Sequence, residues 1–379
     1  MNRSVYITRL ASFLPNDPVS NDEMENILGR INDQASKAKP LILRNNQIKT
    51  RYYASDKQGN PTHTNTELTK LAVEKLFDRD FGLEDVDVLS CGTTTPDQLL
   101  PAHAAMVHGA LGGHSVEINS TTGACSAGIQ ALKFGYLSVL SGTASNAVCT
   151  GSERFSIWML AKYFKEEGAK VAQLAGDGII AFEKDFLRFM LSDGASAALL
   201  QDMPNPNSLS LKIEWVEQRS FAHELPACMY AGAIKDAAGE FIGWSDLDQD
   251  VWTGESVFAI KQDTKLLGDF IVKKGGELLK ELATSKKFDP EKITYFLPHL
   301  SSQYFASRIA KELDVIGLHI PSSKWFTNLS WVGNVGAASP FLMLEELFNS
   351  GKLKKDDQLL MMVPESARFN YAYLLLTVV

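Results

Sequence analysis

The sequence predicts an α/β protein built from two similar halves. Along its 379 residues, apolar strand-like runs alternate with stretches of helical periodicity, the pattern of strands and helices packed in layers. The order of motifs in the first half also recurs in the second. A helix-like segment and Glu84 precede Cys91-Gly-Thr-Thr, just as a helix-like segment and Glu291 precede Pro298-His-Leu-Ser.

A second similarity between the halves pairs Gly123-Ala-Cys-Ser with Gly336-Ala-Ala-Ser. Together the two similarities favour an internal duplication. The predicted halves are residues 1–204 and 205–379, because the prolines and asparagines of residues 202–208 end a strand-like run. Strands are predicted at residues 86–89, 115–119, 147–150, 197–200, 293–297, 359–363 and 371–379. Helices are predicted at residues 66–76, 129–140, 258–282 and 302–313.

Composition excludes several classes of protein. A formal charge of −8 argues against a general nucleic-acid binder, whose affinity rests on basic patches. No hydrophobic run suits a signal peptide or a membrane span, so we expect a cytoplasmic protein. The four cysteines have neither zinc-site spacing nor the density of a disulfide scaffold, and we expect them to be reduced thiols and no metal to be bound.

The most informative stretch is residues 121–130, where Cys125 stands among small residues between a predicted strand and a predicted helix. A cysteine at a helix start faces free N–H groups and the positive end of the helix dipole, which favour the nucleophilic thiolate. The neighbouring glycines and alanines leave room for a substrate. The alternative is a tightly packed core cysteine, since free cysteine is among the most buried residue types.

Three further polar positions lie in apolar surroundings. His299 follows a predicted strand at its carboxyl end, where open α/β sheets place their ligands, although a lone histidine is more often a bystander. Asn334 lies in a glycine-rich turn that it could cap, or from which it could donate to a carbonyl group. Glu153 and Arg154 follow another strand and, by default, are solvated loop charges.

The order and contexts of Cys125, His299 and Asn334 resemble the β-ketoacyl-acyl carrier protein synthase III family of the thiolase superfamily. The resemblance runs almost end to end, through residues 45–54, 91–96, 121–130, 191–200, 254–258, 298–299 and 333–339. It implies a thiolase-like five-layer αβαβα sandwich, with Cys125 in the N-terminal half and His299 and Asn334 in the C-terminal half. Residues 254–258 would begin the long helix of the second half.

The same resemblance implies the chemistry. An acyl thioester would acylate Cys125, and His299 with Asn334 would hydrogen-bond the thioester oxygen of the second substrate. Two neutral donors suit an enolate oxygen, and the backbone N–H of Cys125 would serve the acyl transfer. The reaction needs no metal, nicotinamide or flavin, and no phosphate-binding glycine motif supports a nucleotide cofactor.

The chain also departs from the family pattern. Ser302 stands where the family has an asparagine, and residues 363–371 replace its glycine-rich C-terminal loop. These departures resemble the ketosynthases that make dialkylresorcinols and 1,3-cyclohexanediones, which implies condensation with a β-ketoacyl thioester and closure of a six-membered ring. We hypothesise that Glu153 and Arg368 hold or deprotonate the β-keto unit. An ion pair that stabilises the fold, or two unrelated charges, would explain the same residues.

Two other reactions and a non-enzymatic role stay open. The chain could condense its acyl group with malonyl-acyl carrier protein by decarboxylation. It could also act as a thioesterase or acyltransferase that uses Cys125 and His299 without condensation and does not need Asn334. A scaffold subunit is a third class, which the presence of all three polar residues disfavours.

The expected partners follow from the resemblance. They are acyl carrier protein or coenzyme A thioesters and a second copy of the chain, whose pocket the segment around Leu99 and Leu100 would face. A basic patch near the pocket mouth would attract the acidic carrier protein, and its candidate members are Arg44, Lys49, Arg51 and Arg308. Residues 157–164 have an amphipathic pattern that predicts a lid or dimer-edge helix.

Overall fold

A computed structural model describes residues 3–164, 186–236, 238–286 and 288–379. The strands in these ranges are β1 (Tyr6–Phe13), β2 (Val19–Ser20), β3 (Thr50–Arg51), β4 (Val88–Thr93), β5 (Glu117–Thr122), β6 (Asn146–Glu153), β7 (Gly194–Gln201), β8 (Leu211–Ser220), β9 (Met229–Tyr230), β10 (Ala233–Lys235), β11 (Phe241–Gly243), β12 (Lys261–Gln262), β13 (Ile293–Pro298), β14 (Gln358–Glu365) and β15 (Asn370–Val378). The α-helices are α1 (Met24–Leu28), α2 (Lys39–Asn46), α3 (Asn65–Glu74), α4 (His103–Leu111), α5 (Ala127–Ser141), α6 (Gln249–Gly254), α7 (Thr264–Ser285), α8 (Ala306–Val315), α9 (Leu329–Val332) and α10 (Ser339–Phe348).

Nine strands form one mixed sheet in the order β13-β14-β15-β8-β1-β7-β6-β4-β5. In the first half β4 runs parallel to β6, and β7 and β1 follow antiparallel; in the second half β13 runs parallel to β14, and β15 and β8 follow antiparallel. The halves join where β1 pairs with β8, through Tyr6 with Lys212 and Ile7 with Leu211. The same sequence of pairings thus occurs twice, while the boundary at residue 204 stays a prediction.

Alternation along the strands shows which helices cover each face. In β7, Ala198 and Leu200 pack with apolar residues of α5 and α10, whereas Ala197 and Leu199 pack with those of α3 and α4. In the second half, alternate residues of β14 face α10 on one side and the helices α7 and α8 on the other. Helices, strands, helices, strands and helices therefore form five layers, which confirms the predicted thiolase-like sandwich.

Two predicted helices differ from those observed. The long helix of the second half begins at Thr264 rather than near residue 254 or 258, because the Asp263 carboxylate accepts the N–H of Leu266 at 2.9 Å and caps it there. The residues just before it form β12, which pairs with β9.

The predicted lid or dimer-edge helix at residues 157–164 is a pair of 3-10 turns, Ser156–Met159 and Ala161–Phe164. The segment that follows it, residues 165–185, lies outside the described residues. Within the described ranges, no helix combines the length and the apolar character that crossing a bilayer requires.

The turn before α10 approaches the first half closely enough to require glycine. A Cβ atom on Gly128 of α5 or on Gly151 of β6 would lie 2.3 Å from the carbonyl oxygen of Ala337. No side chain can occupy that space, because the obstacle is backbone on both sides. The glycines therefore let the turn of the second half rest directly on the strand and helix of the first.

We expect Gly151→Ala to lower the free energy of unfolding by more than about 3 kcal/mol, because backbone must move to admit the methyl group. Gly109→Ala is the matched control, since Gly109 is exposed within α4 and a Cβ there meets no atom within 4 Å. That change should stabilise the helix by roughly 0.5–1 kcal/mol. Urea unfolding measures both variants, and similar small effects at the two positions would contradict the close approach.

Candidate active site

Cys125 lies in the short connection between β5 and α5, two residues before the helix begins. Ser126 is the N-cap residue, and Cys125 is 7% exposed. The sequence places the thiol at or just inside the helix start, and the structure puts it immediately before that start. The backbone N–H of Cys125 donates to no acceptor in the described part of the chain.

Two narrow cavities meet at Cys125. One is lined by Cys125 and His299, and the other is lined by Cys125 and Asn334. Ser301 and Ser366 line both. The structure therefore brings the three predicted residues, which lie far apart in sequence, around one continuous region.

His299 follows β13 directly, and its backbone N–H donates to the carbonyl of Met362 in β14 at 2.8 Å. The side chain is 3% exposed, and burial lowers its pKa to about 4, so the imidazole is neutral at neutral pH. Its Nε2 atom has no hydrogen-bond partner among the described residues. A buried polar atom without a partner is costly, and a bound group that pairs with it would remove that cost.

Asn334 has the first of the two roles that its turn suggests. Its backbone N–H donates to Met190, its carbonyl accepts from Ser192, and its Oδ1 accepts the N–H of Gly336 at 3.0 Å. Asn334 therefore shapes the turn. Its amide nitrogen donates to no other group in the described chain, which leaves a donor on a residue that lines the cavity.

Glu153 is fully buried, so its default interpretation as a solvated loop charge is wrong. Its carboxylate accepts the hydroxyls of Thr94 at 2.6 Å and Thr95 at 2.8 Å, and the N–H groups of Thr94 and Ala337 at 3.1 Å. Burial outweighs these bonds and raises the pKa of Glu153 to about 7. The carboxylate lies directly against Gly336, and Glu153 lines neither cavity.

Arg368 is exposed in the turn between β14 and β15, and no ion pair joins it to Glu153 in the described chain. The alternative of an ion pair that stabilises the fold therefore does not apply among the described residues, while the hypothesis that both residues act on the β-keto unit stays a prediction. A buried carboxylate without an arginine is possible here because threonine hydroxyls and backbone N–H groups supply its hydrogen bonds.

The remaining predicted positions lie around the site. The hydroxyl of Ser302 donates to the carbonyl of Asn45 at 3.2 Å, so Ser302 ties two loops together while its neighbour Ser301 lines the cavities. Leu99 and Leu100 are 73% and 85% exposed.

Of the four candidate basic residues, Arg44, Lys49 and Arg308 are exposed. Arg51 is fully buried and donates to Asn21, so its assignment to a surface patch is wrong. All four cysteines are free thiols, and no group of three or more metal-ligating side chains occurs in the described ranges.

Comparisons with known proteins agree with this arrangement. Residues 283–364 match the family model described as 3-oxoacyl-[acyl-carrier-protein] synthase III C terminal. The chain is 23% identical to the β-ketoacyl-[acyl-carrier-protein] synthase III of Streptococcus gordonii over 350 residues, which cover 92% of this chain and 91% of that one.

Two solved structures share the fold. A cysteine-to-serine variant of Xanthomonas campestris OleA with bound lauric acid and lauroyl-CoA superposes with a TM-score of 0.76 at 17% identity, over the whole of both chains. AbyA1, a tetronic acid condensing enzyme, superposes with a TM-score of 0.75 at 21% identity, over 98% of this chain and 99% of its own.

The chain is therefore similar to β-ketoacyl-[acyl-carrier-protein] synthase III over about nine-tenths of its length, and it has the fold of OleA and AbyA1.

One residue of this synthase III-like enzyme escaped the sequence analysis. Glu365, at the end of β14, is 6% exposed, and its Oε2 accepts the N–H groups of Ala124 at 3.2 Å and Ser126 at 3.3 Å, together with the Ser126 hydroxyl. The signal in the sequence is a carboxylate that follows Pro364 inside an otherwise apolar strand.

This contact overturns one expectation. The helix start was predicted to favour a thiolate, but burial first, and the nearby charges of Glu365 and Glu153 next, raise the pKa of the Cys125 thiol. The N–H groups that flank Cys125 are already occupied by the Glu365 carboxylate. The resting thiol of this synthase III-like enzyme is therefore protonated.

The shifted pKa of Glu153 predicts how stability varies with pH. In the unfolded chain the carboxyl ionises near 4.5, whereas the folded protein keeps the proton up to about pH 7. The folded state therefore binds more protons in this window, and its free energy of unfolding falls as pH rises, by at most about 3 kcal/mol.

Urea unfolding between pH 5 and 7.5 should show this decline in the wild type and a flatter profile in Glu153→Gln. Glu291→Gln, which removes an exposed carboxylate, is the control and should follow the wild type. Parallel profiles for all three proteins would contradict a raised pKa at Glu153.

Proposed function

We propose that the enzyme transfers an acyl group from a thioester to Cys125 and then joins it to a second thioester through a carbon–carbon bond. The observation that carries this proposal is the meeting of two cavities at Cys125, one lined by His299 and the other by Asn334. A nucleophile with two neutral donors around one space suits an acyl transfer followed by attack of an enolate.

In the first step, the sulfur of Cys125 attacks the thioester carbonyl, and the departing thiol carries away the thiol proton. The new thioester on Cys125 remains a good electrophile. The free backbone N–H of Cys125 would hydrogen-bond the oxyanion of this step. The lauroyl-CoA bound to a structural neighbour, and the acyl carrier protein in the relatives' names, support acyl thioesters as donors.

In the second step, His299 and Asn334 would donate to the thioester oxygen of the second substrate as it becomes an enolate. Burial keeps His299 neutral, so its unpartnered Nε2 can act as a donor without adding a full charge. The free amide nitrogen of Asn334 supplies the second donor. Both groups touch substrate in this proposal and are catalytic residues.

For the second substrate we propose a β-ketoacyl thioester. One of its carbons displaces Cys125 from the acyl carbonyl, and another adds to the β-carbon of an α,β-unsaturated acyl chain, which closes a 1,3-cyclohexanedione ring without a further leaving group, on the way to a dialkylresorcinol. The support is the segment that replaces the family's glycine-rich loop, since its residues Pro364 and Ser366 line the cavity of His299. Decarboxylative condensation with malonyl-acyl carrier protein is the second candidate, and a Cys125-dependent thioesterase or acyltransferase is the third.

We also propose a homodimer, and acyl carrier protein or coenzyme A as the carrier of the substrates. The exposure of Leu99 and Leu100 supports a partner subunit, because two large apolar side chains in water gain from being covered. Arg44, Lys49 and Arg308 would form the basic patch that meets an acidic carrier protein.

The first experiment is intact mass spectrometry of the wild type and Cys125→Ala after incubation with medium-chain acyl thioesters. We expect an acyl mass on the wild type alone. Adding a β-ketoacyl thioester should then discharge the acyl group into a cyclic diketone, identified by product mass. Discharge only by a malonyl thioester would support decarboxylative condensation, discharge to free acid would support the thioesterase, and no acylation would contradict the proposal.

A second experiment separates the two steps. Asn334→Asp keeps the acceptor for the Gly336 N–H but replaces the amide donor, so we expect a loss of about 100- to 1,000-fold in condensation. Acylation of Cys125, followed by intact mass, should stay within about tenfold of the wild type. Equal losses in both steps would argue against a donor that acts only on the second substrate.

A further inference from the structure

The carboxylate of Glu365 lies across the start of the helix that follows Cys125. Its Oε2 accepts from the N–H groups of Ala124 and Ser126, the residues on either side of Cys125, and from the Ser126 hydroxyl. The Ser126 N–H belongs to the N-cap of α5 and the Ala124 N–H to the loop just before it, so both lie where the helix start attracts an anion. In this enzyme the anion they hold is a side chain of the protein.

A small network fixes this arrangement. The Ser126 hydroxyl oxygen accepts the amide groups of Asn370 at 2.9 Å and Gln130 at 3.2 Å. Amide nitrogens can only donate, so the single hydroxyl hydrogen of Ser126 is left for Glu365. The orientation of the carboxylate is therefore determined from both sides of the helix start.

The titratable groups around the thiol are Glu365, Glu153 and His299. His299 is neutral at neutral pH, and neither cavity is lined by a lysine or arginine in the described chain. Among the described residues that line the cavities, none carries a positive charge that offsets the two carboxylates. Of these two, Glu365 alone takes up the N–H groups beside the nucleophile.

We propose that Glu365 is a positioning residue that keeps Cys125 as a protonated thiol in the free enzyme, by placing a carboxylate charge beside the thiol and by occupying the N–H groups of Ala124 and Ser126 that would otherwise stabilise a thiolate. Such a thiol reacts slowly with general electrophiles and oxidants, because the thiolate is the reactive form. The proposal concerns the thiol itself and does not depend on which substrates the enzyme condenses.

The test compares the wild type with Glu365→Gln, which keeps an acceptor for the two N–H groups and removes the charge. The rate of iodoacetamide labelling at Cys125, assigned by peptide mass, is measured from pH 6 to 10. We expect Glu365→Gln to react at least tenfold faster at pH 7.5, with its profile displaced to lower pH. Thiolate absorbance at 240 nm, corrected with Cys125→Ala in each background, reports ionisation independently of reagent access.

Two further variants make the result decisive. Glu365→Ala frees the N–H groups as well as removing the charge, so its labelling profile should be displaced to lower pH by at least as much as that of Glu365→Gln. This variant also tests the proposal if the Gln variant folds poorly. Glu153→Gln removes the other buried carboxylate, which does not contact the N–H groups of Ala124 and Ser126, and its displacement should be smaller. Unchanged ionisation in both Glu365 variants, or an equal displacement in Glu153→Gln, would overturn the proposal.

Discussion

The site depends on the close contact between the Ala337 backbone and the first half of the protein. Its carbonyl oxygen rests against Gly128 and Gly151, and its N–H donates to the buried Glu153 carboxylate. Both interactions fix the position of the same turn. Gly151 of the strand and Gly128 of the helix limit how close its backbone can come, and the Glu153 carboxylate binds it. Asn334 lies three residues earlier in the same turn, and it therefore faces Cys125 only because this backbone contact exists. Larger side chains at the two glycines would separate the residues that meet at the cavities.

Buried carboxylates have two different structural roles here. Glu153 receives its hydrogen bonds from threonines after β4 and from Ala337, so it links the first half to the turn of the second. Glu365 links in the other direction, from β14 of the second half to the start of α5 in the first. Removing either carboxyl group would leave buried N–H or hydroxyl groups without a hydrogen-bond partner, which costs more than the net gain of the bonds. The two halves are thus joined by polar contacts on both sides of the nucleophile.

The sequence predicts most of the fold and the centre of the site, because those features follow from local patterns. Strand alternation, helical spacing and the repeated motifs predict an α/β protein with two similar halves, and the resemblance to the synthase III family implies the five layers. Cys125 and His299 stand out because each follows a strand. The start of α7 was misplaced because a single side chain, Asp263, decides it. Glu365 was missed because its contact with the helix start depends on a distant strand, and no periodicity reports that proximity.

Charge was the least predictable property of the site. A sequence shows which residues carry charge, but burial and partners decide its effect, and both are long-range. Arg51 is buried and bonded to Asn21, whereas Arg368, which was expected beside Glu153, is exposed. The start of α5 carries the usual partial positive charge of a helix N-terminus. The N–H groups beside Cys125 nevertheless donate to Glu365, so they do not stabilise a Cys125 thiolate.

The raised pKa of Cys125 has a use in the proposed reaction. Thioester exchange is neutral overall, because the proton of the Cys125 thiol leaves with the departing thiol. In the condensation, a carbon loses a proton and Cys125 is released as the acyl group departs, so the proton lost by carbon can end on the thiol. An environment that disfavours the thiolate makes the released sulfur a stronger base, which favours this transfer. His299, with its pKa lowered to about 4, cannot store that proton at neutral pH. In the proposed reaction, burial and the two carboxylates would therefore direct the proton to sulfur, while the neutral donors would stabilise the enolate oxygen.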